Sequence, residues 1–336
     1  MRGASHLLAL VCLAAAPMGA SASTVCAASA TPLAFGAVAG NAAVDVDGTV
    51  TVGCQTLGVA LLSTVRVRMC LNIGAGSAGS GQLTPRRMTS AAGDPLQFQI
   101  YRDPARAQIW GDSAASTAPT PRNVDFEYLV LLLGATYSTT VSMHGRVPAQ
   151  PALAAGSYSS QFAGADTRLD YRYSEPVLGV VNYPASCTSG GSGGGSVTFP
   201  FAVSAPVPNR CTVTSVTPLA FGTVPGRVAA GVDQAATLQF NCTGRTAWTV
   251  GLDNGTHASG TTRRMRLGTA GTSYVTYELY NDPARTQRWG ATAGTGGMTG
   301  TGTGLNQSLQ IYGRVPGNQT VPAGTYQDTI QVTITY

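Results

Sequence analysis

The sequence contains no lysine, and only 10% of its residues are charged, so its 20 basic groups are all arginines, set against 15 acids. A net charge of +5 over 336 residues, with no stretch in which arginines alternate with aromatics, excludes the electrostatic footprint of a nucleic-acid-binding protein. Histidine is scarce, at three residues, and no Cys-x-x-Cys spacing accompanies it, so no zinc site can be assembled from the pattern. Beyond the amino end there is no long apolar run. The best later stretch, residues 129–133, is far short of the roughly 20 residues a membrane helix needs, so the mature chain is not membrane-spanning. Amphipathic helical periodicity is absent too. What is present is glycine, 42 of 336 residues, with abundant Thr, Ser and Val, a composition that favours strands and turns.

Met1 and Arg2 precede an apolar stretch, residues 7–16, and the small residues Ala20, Ser21 and Ala22. A basic start, a short apolar core and an A-x-A site predict a secretory signal peptide over residues 1–22, which removes His6 and Cys12. Six cysteines follow: Cys26, Cys54, Cys70, Cys187, Cys211 and Cys242. An even set in an exported chain points to disulfides formed in an oxidising compartment.

The chain repeats itself. TPLAFG at Thr31 returns at Thr217, RRM at Arg86 returns at Arg263, and YRDPARAQIWG from Tyr101 returns as YNDPARTQRWG from Tyr280. GRVP at Gly145 returns at Gly313, and AGSY at Ala155 returns as AGTY at Ala323. The common order implies a duplicated domain, one copy over residues 23–205 and another over 206–336. Cys26 and Cys54 flank the first TPLAFG as Cys211 and Cys242 flank the second, so each pair is expected to be bridged. Cys70 and Cys187 have no counterparts and are expected to bridge each other. Short alternating runs bounded by Gly, Pro, Asn and Asp predict an all-β protein of two tandem antiparallel, Ig-like sandwiches.

Between the copies, after the glycine-rich residues 189–196, Val197, Phe199, Phe201 and Val203 alternate with smaller or polar residues. A period of two places them on one face of a strand over residues 197–204. Their burial is worth roughly 6 to 12 kcal/mol before entropy costs. This strand is expected to close the first copy. No equivalent follows residues 326–336 of the second copy, which is therefore expected to lack its last strand and to expose a groove that another chain fills.

Each copy resembles a spore coat U domain, the building block of archaic, Csu-type chaperone-usher pili. The cysteine pairs, TPLAFG, the Y-x-D-P-A-R-x-Q-x-W-G segment, GRVP, AG-[ST]-Y and the final ITITY carry the resemblance. In that family a donor segment precedes the first cysteine. Here only Ser23, Thr24 and Val25 stand between the expected cleavage site and Cys26, while the donor-like segment precedes Cys211. A subunit that accepts a strand but gives none ends a fibre, so the resemblance implies a two-domain tip adhesin with a binding domain first and a pilin domain second. The implied partners are a periplasmic chaperone, an outer-membrane usher, an adjacent pilin and an abiotic or host surface. The implied place is the pilus tip, reached through the periplasm.

Three apolar additions distinguish the first copy and are expected to form exposed adhesive loops, which large apolar patches on secreted proteins favour. They contain Leu57, Val59, Leu61 and Leu62; Leu129 and Leu131; and Val177, Leu178, Val180 and Val181. Packing within longer strands is the competing reading, above all for residues 129–133. Arg66, Arg68 and Arg122 are further candidates for partner contacts.

No catalytic constellation emerges, and neither enzyme activity nor a cofactor is expected. GAGSAG at Gly74 fits a phosphate-loop pattern, but no helix is expected after it. Asp103-Pro104 and Asp282-Pro283 recur in both copies, as turns do. His144 shares a strand face with Ser142 but lacks an acid and a nucleophile elbow. The alternatives to an adhesin are a structural spore-coat or outer-surface protein of the same fold and a secreted carbohydrate-binding module.

Overall fold

The computed structural model describes residues 23–58, 60–113, 119–132, 134–176, 178–225 and 227–336. The expected signal peptide, residues 1–22, lies outside them. The first half forms β1 (Ser23–Ala30), β2 (Leu33–Ala34), β3 (Val44–Leu57), β4 (Ala60–Leu71), β5 (Arg86–Ser90), β6 (Pro95–Tyr101), β7 (Arg122–Leu132) and β8 (Ala135–Val147). It continues through β9 (Gly156–Phe162), β10 (Arg168–Ser174), β11 (Gly179–Val180), β12 (Gly193–Thr198) and β13 (Phe201–Val207). The second half forms β14 (Cys211–Val216), β15 (Val232–Cys242), β16 (Ala247–Leu252), β17 (Arg263–Leu267) and β18 (Tyr274–Tyr280). Then come β19 (Met298–Thr301), β20 (Asn306–Val315), β21 (Tyr326–Gln327) and β22 (Val332–Thr335).

Each half is a sandwich of two sheets. The first pairs a sheet ordered β1-β3-β8-β6-β5-β9-β13-β2 with one ordered β11-β4-β10-β12, in which β7 lies on the other side of β4. The second pairs β14-β15-β20-β18-β17-β21 with β19-β16-β22. Alternation decides which side chains enter: Val50, Val52 and Cys54 of β3 are buried while their neighbours are not. Two separate cores result, one of residues between Cys26 and Val207, the other between Val228 and Val315. The halves touch where the Ala155 amide donates to the Gly244 carbonyl at 2.8 Å and Arg245 pairs with Asp94 at 2.8 Å.

The repeated motifs tie sheet to sheet. The Trp110 indole donates to the Leu71 carbonyl at 2.8 Å, and Trp289 donates to Val250 at 2.9 Å. Arg86 and Arg263 are fully buried. Arg86 donates to the carbonyls of Ile73, Gly74 and Trp110 and to Gln99. Arg263 donates to those of Leu252, Asp253 and Trp289 and pairs with Glu278. A buried guanidinium is tolerable only with such a full set of acceptors. Asp103 and Asp282 each accept backbone amides four and five residues onward, holding identical turns.

Three disulfides join Cys26 to Cys54, Cys70 to Cys187, and Cys211 to Cys242. The first and third join directly opposed residues of neighbouring strands. The second clips the segment between β10 and β12 onto β4. Arg66 and Arg68 serve the same end. Arg66 donates to the Val181 carbonyl at 2.8 Å and Arg68 to Pro184 at 2.9 Å, with both guanidiniums against the Tyr183 ring. Arg122 donates to the Arg102 carbonyl at 3.0 Å.

The segment between the copies departs from the single strand expected over residues 197–204. Val197 belongs to β12 and is half-buried, Phe199 and Pro200 cross between the sheets, and Phe201 and Val203 begin β13, which continues to Val207. Burial at every second residue persists through the crossing, with Phe199, Phe201, Val203, Ala205 and Val207 all inside. The first core therefore extends two residues past the expected limit at 205. The glycines are not a loose tether. A Cβ on Gly193 would meet the Tyr173 hydroxyl at 2.4 Å, and one on Gly194 the Tyr171 carbonyl at 2.3 Å.

Candidate functional site

Two surfaces stand out, one in each half. In the first half β13 lies between β9 and β2, antiparallel to one and parallel to the other, with Val203 opposite both Ser160 and Leu33. The Phe35 amide donates to the Ser204 carbonyl and the Val38 amide to Pro206, each at 2.9 Å. Phe201 stacks on Phe162 with centroids 4.8 Å apart. Beside this strand Leu33 and Phe35 of the first TPLAFG are buried.

Among the described residues of the second half, no strand occupies the corresponding place. Leu219 and Phe221 of the second TPLAFG are only partly buried, as are Tyr326 and Ile330 opposite them. They border a groove of about 370 Å³ floored by Leu252, Tyr277 and Ile311. Where β9 has seven residues, β21 has two. The chain after it is held instead by Asp328, which accepts from the hydroxyls of Thr256 at 2.9 Å and Tyr277 at 2.7 Å. Burial, reinforced by that carboxylate, pushes the Tyr277 phenol above its usual range. The His257 ring is 3.0 Å from the same carboxylate, while His144 is 2.9 Å from Asp47. Each histidine is thus paired within a turn or strand edge.

The second surface is one end of the first sandwich. Most of the apolar additions extend strands: Leu57 ends β3, Leu62 lies in β4 at a bulge between Ala60 and Ser63, Leu129 and Leu131 lie in β7 and Val180 in β11, whereas Leu178 lies outside the strands. Val59 and Val177 lie outside the described residues, as does the side chain of Leu61. β4 pairs with both β7 and β11, so the three additions converge. Leu57, Leu62, Leu129, Leu131, Leu178 and Val180 are between 52% and 72% exposed, whereas Val181 is half-buried. Strand alternation explains the division: Val130 is fully buried between its outward neighbours. In residues 129–131 the competition between core and surface is resolved residue by residue. Gly134 (φ +114°), where a Cβ would meet the Thr56 carbonyl at 2.4 Å, joins β7 to β8, yet the two strands enter different sheets.

A polar chain missed in the sequence lies beneath this end. The Tyr128 and Thr56 hydroxyls are 2.8 Å apart, those of Thr56 and Thr24 are 2.7 Å apart, and Thr24 donates to Glu175 Oε2 at 3.1 Å. Glu175 Oε1 is buried with no protein partner among the described residues. Burial pushes the Glu175 carboxyl up, against the hydrogen bond from Thr24.

Residues 11–163 and 197–333 match the Spore Coat Protein U domain. The chain belongs to that family. The second spore coat U match begins at Val197, so the segment that fills the first core is matched as the leading part of the second domain. Protein U of Myxococcus xanthus is 43% identical over 116 residues, 32% of this chain and 64% of its own length. The chain thus spans less than two thirds of that relative. Among solved structures, a chaperone–tip adhesion subunit pre-assembly complex of archaic chaperone-usher Csu pili from Acinetobacter baumannii is similar at 16% identity and a TM-score of 0.48. That alignment covers 93% of this chain and 100% of the other. The CupB6 tip adhesin of Pseudomonas aeruginosa is similar at 11% identity and a TM-score of 0.30, covering 92% and 93% of the two chains.

Proposed function

We propose that this chain is the tip subunit of a chaperone-usher pilus, exported through the periplasm to the cell surface. Its second half accepts a donor strand from the adjacent pilin, and its first half attaches to abiotic or host surfaces and promotes biofilm formation. The observation that carries this reading is the groove along Leu219 and Phe221, open where the first half seals the same motif with β13. An uncovered apolar groove flanked by unpaired backbone invites strand addition. A periplasmic chaperone occupies it before the usher exchanges it for a pilin. Ser23, Thr24 and Val25 pair with Leu57, Thr56 and Gln55 inside β1, so they are not offered to a neighbour. The clustered exposed leucines of β4 and β7 supply the contact surface.

Co-expression of the mature chain with and without a chaperone from a spore coat U pilus system tests this. Soluble yield is expected to be much higher with the chaperone, as a co-purified complex in which peptides covering residues 217–221 and 326–330 exchange deuterium more slowly than in the free chain. A soluble monomer with those peptides already protected defeats the proposal.

A further inference from the structure

We infer that the segment donated to the second half is bipartite, filling the groove and also adding a strand to the free edge of β22. This rests on the donor-strand reading above and specifies what the donor must look like.

The first half contains the filled version of both sites. Residues of β12 pair with β10 in the smaller sheet, Phe199 and Pro200 carry the chain across, and β13 pairs with β9 in the larger sheet. One continuous segment thus closes both layers. The tryptophan bonds to Leu71 and Val250 place β4 and β16 in equivalent positions. Leu71 pairs with Leu169 and Val250 with Ile334, so Ile334 stands where Leu169 does and Tyr336 where Tyr171 does. Leu169 is fully buried and Tyr171 5% exposed beneath β12. Ile334 is only partly buried and Tyr336 is 56% exposed, because β22 is the last strand of its sheet.

The occupant follows from the same comparison. It runs antiparallel to β21 and parallel to Leu219, as β13 does to β9 and Leu33. Its leading part carries glycine where it passes the phenol of Tyr336, since a Cβ on Gly195 would lie 2.8 Å from the Tyr171 hydroxyl. An apolar residue like Val197 comes next, then a buried aromatic and an exposed residue at the crossing. Large, large, small and large side chains follow at alternate positions, as in Phe201, Val203, Ala205 and Val207. The donor is the leading segment of another spore coat U chain, because in this protein the family match itself begins at Val197.

The test uses the full mature chain extended after Tyr336, through a flexible Gly/Ser linker, with a second copy of residues 193–207 or of residues 199–207 alone. Hydrogen exchange is then read at both sites. Both extensions are expected to slow residues 217–221 and 326–330, and only the longer one to slow residues 334–336, by tenfold or more. Gly195→Val in the appended copy should abolish the second effect and spare the first. Equal exchange at residues 334–336 with either extension overturns the bipartite donor while leaving the donor-strand reading intact. Failure of both extensions to protect the groove overturns that reading itself.

Discussion

Leu33 and Leu219 occupy the same position in two copies of one hexapeptide, yet Leu33 is fully buried opposite Val203 while Leu219 is only partly covered. The difference lies in the strand beside them, since β13 pairs with β2 and no described strand pairs with the second copy of the hexapeptide. Leu33→Ala should therefore cost about 2–5 kcal/mol, as a cavity in a closed core does. Leu219→Ala should cost less than about 1 kcal/mol in the free chain, with a clear penalty only once a donor strand is bound. Denaturant titration of both variants, with and without a bound chaperone, compares the two costs.

Leu129 and Leu131, each 52% exposed on β7, flank the buried Val130. Replacing both with serine should change unfolding free energy by no more than about 0.5 kcal/mol, as surface substitutions do. Adsorption to polystyrene should drop markedly in the same variant. Val130→Ser is the control, and is expected to lower the melting temperature sharply. Unchanged adsorption in the double variant removes this face from the contact surface.

Glu175 gives the first half a pH dependence with a definite sign. Its carboxyl is pushed up by burial, so the native state binds the proton more tightly than the unfolded chain. The stability this provides is complete below the ordinary glutamate range and is lost as pH rises through the raised value. Glu175→Gln should melt higher than the parent at pH 7.5 and nearly equal to it at pH 4. A melting difference that does not vary with pH contradicts the assignment.

The Cys70–Cys187 bridge closes a separation of 117 residues, for which the loop-entropy estimate is about 4–5 kcal/mol. Replacing both cysteines with serine should lower the melting temperature and open residues 175–192 to limited proteolysis. Arg66 and Arg68 also hold that segment, so adding Arg68→Ala should accelerate cleavage further. A protease-resistant segment in the triple variant would show that other contacts suffice.

The fold class was legible because period-two alternation, turn residues and the repeat all pointed the same way. Alternation also identified Phe199, Phe201 and Val203 as inward-facing, since side-chain direction survives the crossing between sheets. The crossing had one local signal, Pro200, which has no backbone N–H to give a ladder and so interrupts an otherwise continuous strand pattern. Gly58 and Gly179 made the first and third apolar additions read as loops, whereas Leu57, Leu62 and Val180 lie in strands and Leu178 does not. The chain from Thr24 to Glu175 left no local signal, because its members are brought together only by pairing across 151 residues. The groove did leave one: Leu219 and Phe221 repeat the core residues Leu33 and Phe35 in a half where, among the described residues, no strand seals them.

The strand that seals the first sandwich is also the one that leads into the second, through Pro208, Asn209 and Arg210 to Cys211. Tension applied to the second half therefore enters the first along the axis of β13, whose seven residues pair in register with those of β9. That arrangement loads the ladder in shear, so its bonds must give way together rather than peel one by one. A load drawn through the second half therefore meets the whole ladder at once.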